Sequence, residues 1–261
     1  MKNFSDINFF KENGYIIFKS LYSKEDCKSI LKKLNFLADK NYSQLLNIHR
    51  KDFLILQTLN KIQNLKFLED KHKYIKSLSG YANFFLNSFK KKIFVNKITK
   101  LYNNREIVGT QTQVIFKKPR SKYGKQQYLP HQDNSYAKNK NNLFFTTHLF
   151  LEKANMKNGT LYVHEKSHKL GLLKFDKVKS YGNEKKAGNK INVANLKKNF
   201  KTKVIKANIG DLLVMHGNLV HGSYVNKTKK KSRTTFSLCC IVKGEKFVKG
   251  RNACRQVFNL K

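Results

Sequence analysis

Two stretches of this 261-residue chain carry side chains whose types and spacing could do chemistry. The first, LYVHEKSHKLG, holds His164, Glu165 and His168 in the order H-E-x-x-H. On a buried helix that spacing puts two zinc ligands and a general base on one face. Here the intervening residues are Lys166 and Ser167, with Lys169 just beyond. The approach NGTLYV reads as a turn followed by a strand, and Gly159 and Gly171 leave little room for a helix between them. The position of a third histidine is taken by Lys174, a protonated amine that cannot ligate. A zinc-peptidase site is set aside on these grounds. The expectation is a strand over Leu161–Val163 that turns through a loop capped by Ser167 and His168.

The second stretch, LPHQDNSY, sets His131 and Asp133 two residues apart. On a strand, residues i and i+2 share a face, so an imidazole and a carboxylate can converge on one ion. H-x-D alone is a weak signal, but GDLLVMHGNLVHGSYVN adds His221 after a strand-like run and a turn. Two histidines and one carboxylate that leave three positions open make the facial triad of non-haem Fe(II) oxygenases. The open positions admit a 2-oxo acid and dioxygen. The far carboxylate of such a co-substrate needs a cation, and Arg233 follows His221 by twelve residues in SRTTFSLCC. Its planar fork matches a carboxylate with two parallel hydrogen bonds. Arginine is scarce here, 6 against 48 lysines, so its position is informative. Gln111 and Gln113 share a strand face, as do Thr146, His148 and Phe150; Gln111, Gln113 and His148 are candidate pocket residues. His216 reads as structural, and His49, His72 and His164 as surface.

The elements that must position these residues change character along the chain. SDINFFKEN opens with Ser5 as an N-cap and stops at Gly14, YIIFKSLY reads as a strand, and Ser23 caps a helix with Ile30, Leu31, Leu34 and Leu37 on one face. Residues 43–103 continue helix-like, Phe53, Leu54 and Leu56 included. From about residue 107 the pattern alternates and is β-branched: IVGTQTQVIFKK, LFFTTHLFLEK, GTLYVHEK, then three or four short strands with turns at Asn208–Gly210 and Asn226–Lys231. A polar run over 176–203 reads as a mobile loop or lid. Helices first and strands second predict a β-sandwich or barrel under an N-terminal helical layer. Residues 1–105 form that layer, with one or more edge strands, and 106–261 the β core, in one catalytic domain.

Bulk composition bounds the function class. No stretch approaches the ~18–20 apolar residues of a membrane span, and the opening MKNFSDINFF lacks a signal-peptide core, so a cytoplasmic protein is expected. Cys27, Cys239, Cys240 and Cys254 show no C-x-x-C and read as reduced thiols. The formal charge of +38 is extreme and would draw the chain to anionic partners. The lysines are dispersed, however, and accompany abundant Asn, Ile, Phe and Tyr, all favoured by A/T-rich codons. Base-reading proteins lean on arginine. Composition bias is therefore the first explanation and an anionic substrate the second; a nucleic-acid partner is not expected.

The chain resembles the phytanoyl-CoA dioxygenase family of Fe(II)/2-oxoglutarate-dependent oxygenases. The resemblance runs from FFKENGYIIFKSLYSKEDC through QVIFKKP, PHQDNSY and NGTLYVHEKSHKLG to GDLLVMHGNLVHGSYVNKTKKKSR. It implies a mainly β double-stranded β-helix, jelly-roll or cupin-like, with N-terminal and flanking α-helices. It implies iron bound by His131, Asp133 and His221, and 2-oxoglutarate bound by Arg233 and the hydroxyl of Ser223. The implied reaction hydroxylates an unactivated C–H of a small molecule with O2, releasing succinate and CO2. Family members commonly carry P-G-S-H where this chain has Glu165 to His168, and their arginine usually follows the second histidine by eleven residues. Related halogenases have a small residue at the position of Asp133, so its retention points to hydroxylation. The competing class is a non-catalytic β-helix domain that holds a metal or an anionic partner.

Overall fold

The computed structural model describes residues 5–39, 53–56, 84, 87–120, 124–125, 127–178, 188–194, 196, 200–250 and 255–261. Helix α1, Asp6–Asn13, begins where the Ser5 hydroxyl accepts from the Asn8 amide and ends at left-handed Gly14. Strand β1, Tyr15–Phe18, follows, then α2, Lys24–Asp39, whose first turn is capped by Ser23 through the Asp26 amide at 3.0 Å. Helix α3 spans Lys92–Leu101 and buries Phe94, Val95, Ile98 and Leu101.

The strands form two antiparallel sheets. The larger contains β1, β2 (Phe53–Leu56), β3 (Ile107–Lys117), β5 (Phe144–Phe150), β10 (Leu212–His216), β12 (Arg233–Val242) and β13 (Phe258–Asn259), in the order β1-β10-β5-β12-β3-β13 with β2 also on β3. The smaller contains β4 (Tyr128–His131), β11 (His221–Ser223), β6 (Leu161–His164) and β9 (Thr202–Val204), in the order β4-β11-β6-β9. Two antiparallel sheets under a helical layer fit the β-sandwich or barrel that the sequence pattern predicted and the double-stranded β-helix that the family resemblance implied.

Alternation along β12 divides the molecule. Phe236, Leu238, Cys240 and Val242 enter a core shared with Phe10, Leu34, Phe94 and Ile98 of the three helices. Arg233, Thr235, Ser237 and Cys239 face the other way, toward the smaller sheet. A second core of Tyr15, Phe150, Leu161, Val163, Leu213, Met215 and Leu219 joins the sheets. The polar inner residues of β3, β5 and β12 lie beside it: Gln113, Ser237 and His148 in one cross-strand row, Gln111, Cys239 and Thr146 in the next.

Two readings are corrected. Phe53–Leu56 was expected to be helical but is a strand, paired Phe53 to Ile115 and Leu56 to Thr112. A four-residue apolar run carries no decisive period, and the open edge of β3 settles it. The rest of 43–83 lies outside the described residues. The stretch 176–203 is not simply a loop. Its described part contains β7 (Asp176–Val178) paired with β8 (Gly188–Lys190), and Ile191, Val193, Leu196 and Phe200 pack with Leu173, Phe175 and Val220. Its scattered apolar residues, masked in sequence by the lysines, anchor it. Among the described residues no helix is long and apolar enough to cross a membrane.

Candidate metal centre

His131 and His221 face each other as direct partners in the β4–β11 pair, their rings 4.4 Å apart by centroid. Each ring is oriented by the backbone two residues before it: His131 Nδ1 lies 2.7 Å from the Leu129 carbonyl, His221 Nδ1 3.0 Å from the Leu219 carbonyl. A carbonyl only accepts, so both Nδ1 atoms carry a proton, and in the neutral imidazole it is Nε2 that keeps the lone pair. Those two Nε2 atoms stand 3.6 and 3.7 Å from the same oxygen, Asp133 Oδ1. Metal–ligand bonds of about 2.0–2.2 Å span such separations around one ion. Among the described residues this is the one group of three or more His, Cys, Asp and Glu side chains placed to hold a metal, with all ligand atoms within 4.8 Å.

The expected reason for the convergence was strand alternation, and that is corrected too. β4 ends at His131, and Asp133 opens a single helical turn, Asn134–Ala137 (α4). The carboxylate is aimed by the turn. A buried amide network sets that turn. Gln132 Nε2 donates to the carbonyls of Gly171 (2.7 Å) and Asn218 (2.6 Å), and its Oε1 accepts from the Leu173 amide at 2.8 Å. Asn134 donates through Nδ2 to Asn218 Oδ1 and to the Asn139 carbonyl, and its own amide donates to the Gly217 carbonyl. Gly217 permits this approach: a Cβ there would lie 2.4 Å from the Phe144 carbonyl oxygen. Sequence reasoning missed this network. Its only visible trace is the run of amide residues Gln132, Asn134, Asn139 and Asn218.

The electrostatics suit a cation. Burial alone would raise the Asp133 carboxyl, but the charge of His221, the hydrogen bond and charge of His131, and the nearby Thr146 hydroxyl together hold it well below the usual carboxylate range. Burial pushes the His221 imidazole down to about 4, partly offset by Asp133. One carboxylate and neutral imidazole are the protonation states a metal requires.

Arg233 lies 1% exposed at the start of β12, paired with Lys117 of β3. Its Nε and Nη2 donate to the Gly159 carbonyl at 3.0 and 2.9 Å, and Nη1 to Thr235 Oγ1 at 3.0 Å. The twelve-residue spacing from His221 is absorbed by a loop in which the Asn226 side chain holds the Lys117 and Lys231 carbonyls and the Thr228 hydroxyl. Lys117 is fully buried beside Arg233, and its amine donates to the Tyr224 carbonyl. Burial and the Arg233 charge push that amine down to about 6. Ser223 is buried two residues past His221, its hydroxyl accepting from the Tyr128 amide at 3.3 Å. His148 sits between the two charged ends, within the fields of Asp133, His221 and Arg233, and burial lowers it to about 3. Its Nδ1 lies 2.6 Å from Ser237 Oγ, and its Nε2 is buried with no hydrogen-bond partner. Gln111 is buried and Gln113 half-buried on the neighbouring strand face.

The H-E-x-x-H residues do not meet. His164 ends β6, Lys166 is left-handed at φ 68°, and Ser167–Leu170 form a 3-10 turn. His164, expected at the surface, is 2% exposed, its Nδ1 3.2 Å from the Thr202 hydroxyl. His168 Nε2 donates to the Lys11 carbonyl at 3.0 Å. His216 is structural, accepting from the Asn218 amide and packed at a tilt against His168 and Phe10. His49 and His72 lie outside the described residues, as does Cys254, while Cys27, Cys239 and Cys240 are free thiols.

Comparison with known proteins gives a consistent picture. The family model described as Phytanoyl-CoA dioxygenase (PhyH) matches residues 10–235. A phytanoyl-CoA dioxygenase of Arabidopsis thaliana is 27% identical over 253 residues, covering 89% of this chain and 86% of that protein. The phytanoyl-CoA dioxygenase 1 of Oryza sativa subsp. japonica is also 27% identical, covering 84% and 82%. Among solved structures, EctD from S. alaskensis with bound Fe superposes with a TM-score of 0.65 at 14% identity, covering 94% of this chain and 78% of that one. The non-heme alpha ketoglutarate dependent epimerase SnoN superposes at 0.63 and 10% identity, covering 90% and 81%.

Proposed function

From the chain's membership of the phytanoyl-CoA dioxygenase family, we propose that it is an Fe(II)/2-oxoglutarate-dependent oxygenase that hydroxylates an unactivated C–H of a small, anionic molecule. The observation that carries the reading is the pair of imidazoles whose Nδ1 atoms are tied back to Leu129 and Leu219, so that both Nε2 lone pairs and the Asp133 carboxylate converge. Such a set occupies one face of a ferrous ion and leaves the other open. The iron structure of EctD and that of SnoN with Fe3+ and alpha ketoglutarate, on the same fold, support the cofactor pair. Their range of chemistries leaves the outcome at carbon to this chain's own residues.

Iron and 2-oxoglutarate, when bound, supply an oxidation that consumes dioxygen and yields succinate and CO2. The protein's residues bind and orient. His131, Asp133 and His221 would hold the metal. Arg233, its fork pinned by Gly159 and Thr235, would receive the far carboxylate of the co-substrate. The Ser223 hydroxyl retains a proton to donate. A Ser237 hydroxyl that donates to His148 Nδ1 puts the imidazole proton on Nε2. Ile115 and Phe150, flanking Thr235 in the same row, keep water from this end.

The test is direct. Under argon, wild-type protein with Fe(II) and 2-oxoglutarate should develop the weak visible chelate band, and in air it should make succinate. His131→Ala should lose both iron retention and turnover. Full succinate production by that variant would falsify the assignment, and a metal-bound protein without turnover would favour the non-catalytic class.

A further inference from the structure

The candidate metal centre is not closed evenly. The side chain of His221 is 5% exposed, that of His131 10% and that of Asp133 21%, so the cluster opens on the side of the Asp133 turn. Two half-buried tyrosines flank the opening. The Tyr128 ring lies at a tilt 5.8 Å from the His131 ring, and the Tyr136 ring meets His131 edge-on at 6.2 Å. An exposed lysine stands beyond Tyr136. Lys177 Nζ is 6.0 Å from the Tyr136 ring centroid and 5.1 Å from that of half-buried Phe175. The amine is therefore within the sum of two spacings, 6.0 and 6.2 Å, of the His131 imidazole.

This lysine has a fixed seat. The β7–β8 pair sets Lys177 directly opposite Asn189, and Nζ donates to Asn189 Oδ1 at 2.6 Å. Asn189 is buried and bound to the turn that carries Asp133. Its amide donates to the Tyr136 hydroxyl at 2.8 Å, and its Nδ2 donates to Ser135 Oγ at 2.6 Å. The Ser135 hydroxyl donates in turn to the Gln132 carbonyl at 2.6 Å, and the Ile191 amide donates to the Pro130 carbonyl at 2.8 Å. Composition bias accounts for the number of lysines in this chain. It does not account for a buried asparagine that fixes one of them beside the opening. The single amide oxygen leaves the ammonium further protons to donate. Among the described residues no carboxylate pairs with Lys177, and Asp176, next to it on β7, projects from the opposite face of the strand.

We propose that Lys177 binds the anionic end of the primary substrate, a carboxylate or phosphate, while the apolar body of that molecule lies across Tyr136 toward the open side of the metal centre. The proposal rests on the oxygenase reading and deepens it: Arg233 serves the co-substrate inside the barrel and Lys177 the substrate at its mouth. It also sets the position of oxidation, at the end of the body away from the oxyanion.

The experiment uses the full chain loaded with Fe(II) and 2-oxoglutarate under argon. Octanoate, octyl phosphate and neutral octanamide are titrated by calorimetry at low salt. At least one anion should bind about 5-fold or more tighter than octanamide; the tighter anion identifies the oxyanion. Lys177→Met keeps the apolar stem and removes the charge. It should weaken anion binding by about 5–10-fold and leave octanamide unchanged. Lys174→Met, an equal loss of charge at a nearby exposed position, should change neither, and Lys177→Arg should keep the anion bound. With Co(II) in place of iron, paramagnetic broadening of the bound anion's protons should grow toward its methyl end. Wild type that binds no anion, or binds acid and amide equally, overturns the proposal without any variant. So does anion binding undiminished in Lys177→Met, a loss shared equally with octanamide or with Lys174→Met, or broadening strongest beside the charged group. A wild-type protein that never forms the chelate band sinks the oxygenase reading instead.

Discussion

Replacing Gln132 by Met should weaken the fold and the metal site together. The side chain is fully buried and makes three hydrogen bonds, to the Gly171 and Asn218 carbonyls and from the Leu173 amide. Met has similar length and volume but satisfies none of the three. Each buried group left unpaired costs about 1–3 kcal/mol. The carbonyls keep a second lone pair and fall at the low end, so the set amounts to about 3–5 kcal/mol. In a domain of this size 1 kcal/mol moves the melting temperature by about 2–4 °C, which puts the expected drop at roughly 6–20 °C. Gln132 also separates two of the ligands, and its bonds fix the turn that aims Asp133. Supporting groups of this kind are worth about 10–100-fold in metal affinity. Thermal melts of the metal-free protein give the first number, and Co(II) titration under argon, followed in the visible, gives the second. Asn141→Ala is the control, since it removes only an exposed bond to Glu245. A Gln132→Met protein that melts within about 2 °C of wild type and binds Co(II) equally well refutes the view that this amide builds the site.

Four further outcomes are expected. The Lys117 amine, at about 6 in the fold against about 10.4 unfolded, is neutral where the unfolded chain is charged, so its stability cost shrinks as pH rises through that window. The stability difference between wild type and Lys117→Met should therefore change by about 3 kcal/mol between pH 7 and 9.5, measured by denaturant unfolding; a constant difference contradicts the burial of this amine. His148 and His216 are lowered to about 3 and about 4, chiefly by burial, while the unfolded chain takes up their protons below about 6.5. Each should cost wild type roughly 2 kcal/mol between pH 7 and pH 5, and His216→Gln should remove its share of that acid sensitivity. Ser167→Ala leaves the buried Val220 amide without its acceptor at 2.9 Å and should cost about 1–3 kcal/mol. Lys166→Gly, one residue away, relieves a left-handed φ of 68° worth about 1–2 kcal/mol and gives up only exposed ion pairing, so its melt should equal or exceed that of wild type.

The candidate ligand set was legible because residue type alone restricts it: an oxygenase triad needs two imidazoles and a carboxylate, and His131 and His221 fall at strand ends. What aims them was not legible. The Asp133 turn depends on amide contacts to Gly171, Asn218 and Leu173, up to 86 residues away, and no local pattern encodes such pairings. His164 illustrates the same limit. Its neighbours are polar, but β9 closes over it through Thr202, so it is buried by an element 38 residues later.

The misleading motif has a place in this arrangement. In P-G-S-H the glycine can take a left-handed conformation without strain. Here Lys166 adopts that conformation, at φ 68°. The new charges hold a different neighbour. Glu165 accepts from the Tyr15 hydroxyl at 2.7 Å, Lys166 pairs with Glu12 at 2.7 Å, and Lys169 reaches the same carboxylate. Hydrogen bonds from the two lysines hold the Glu12 carboxyl down to about 2. All of these contacts join the loop to α1 and β1. From the other side, Ser167 holds the Val220 amide, and Val220 precedes His221. His164, Glu165 and His168 therefore bind no ion. The loop they sit in ties the N-terminal layer to the strand that carries His221, so the sequence that imitates a metal site helps to position the candidate metal centre.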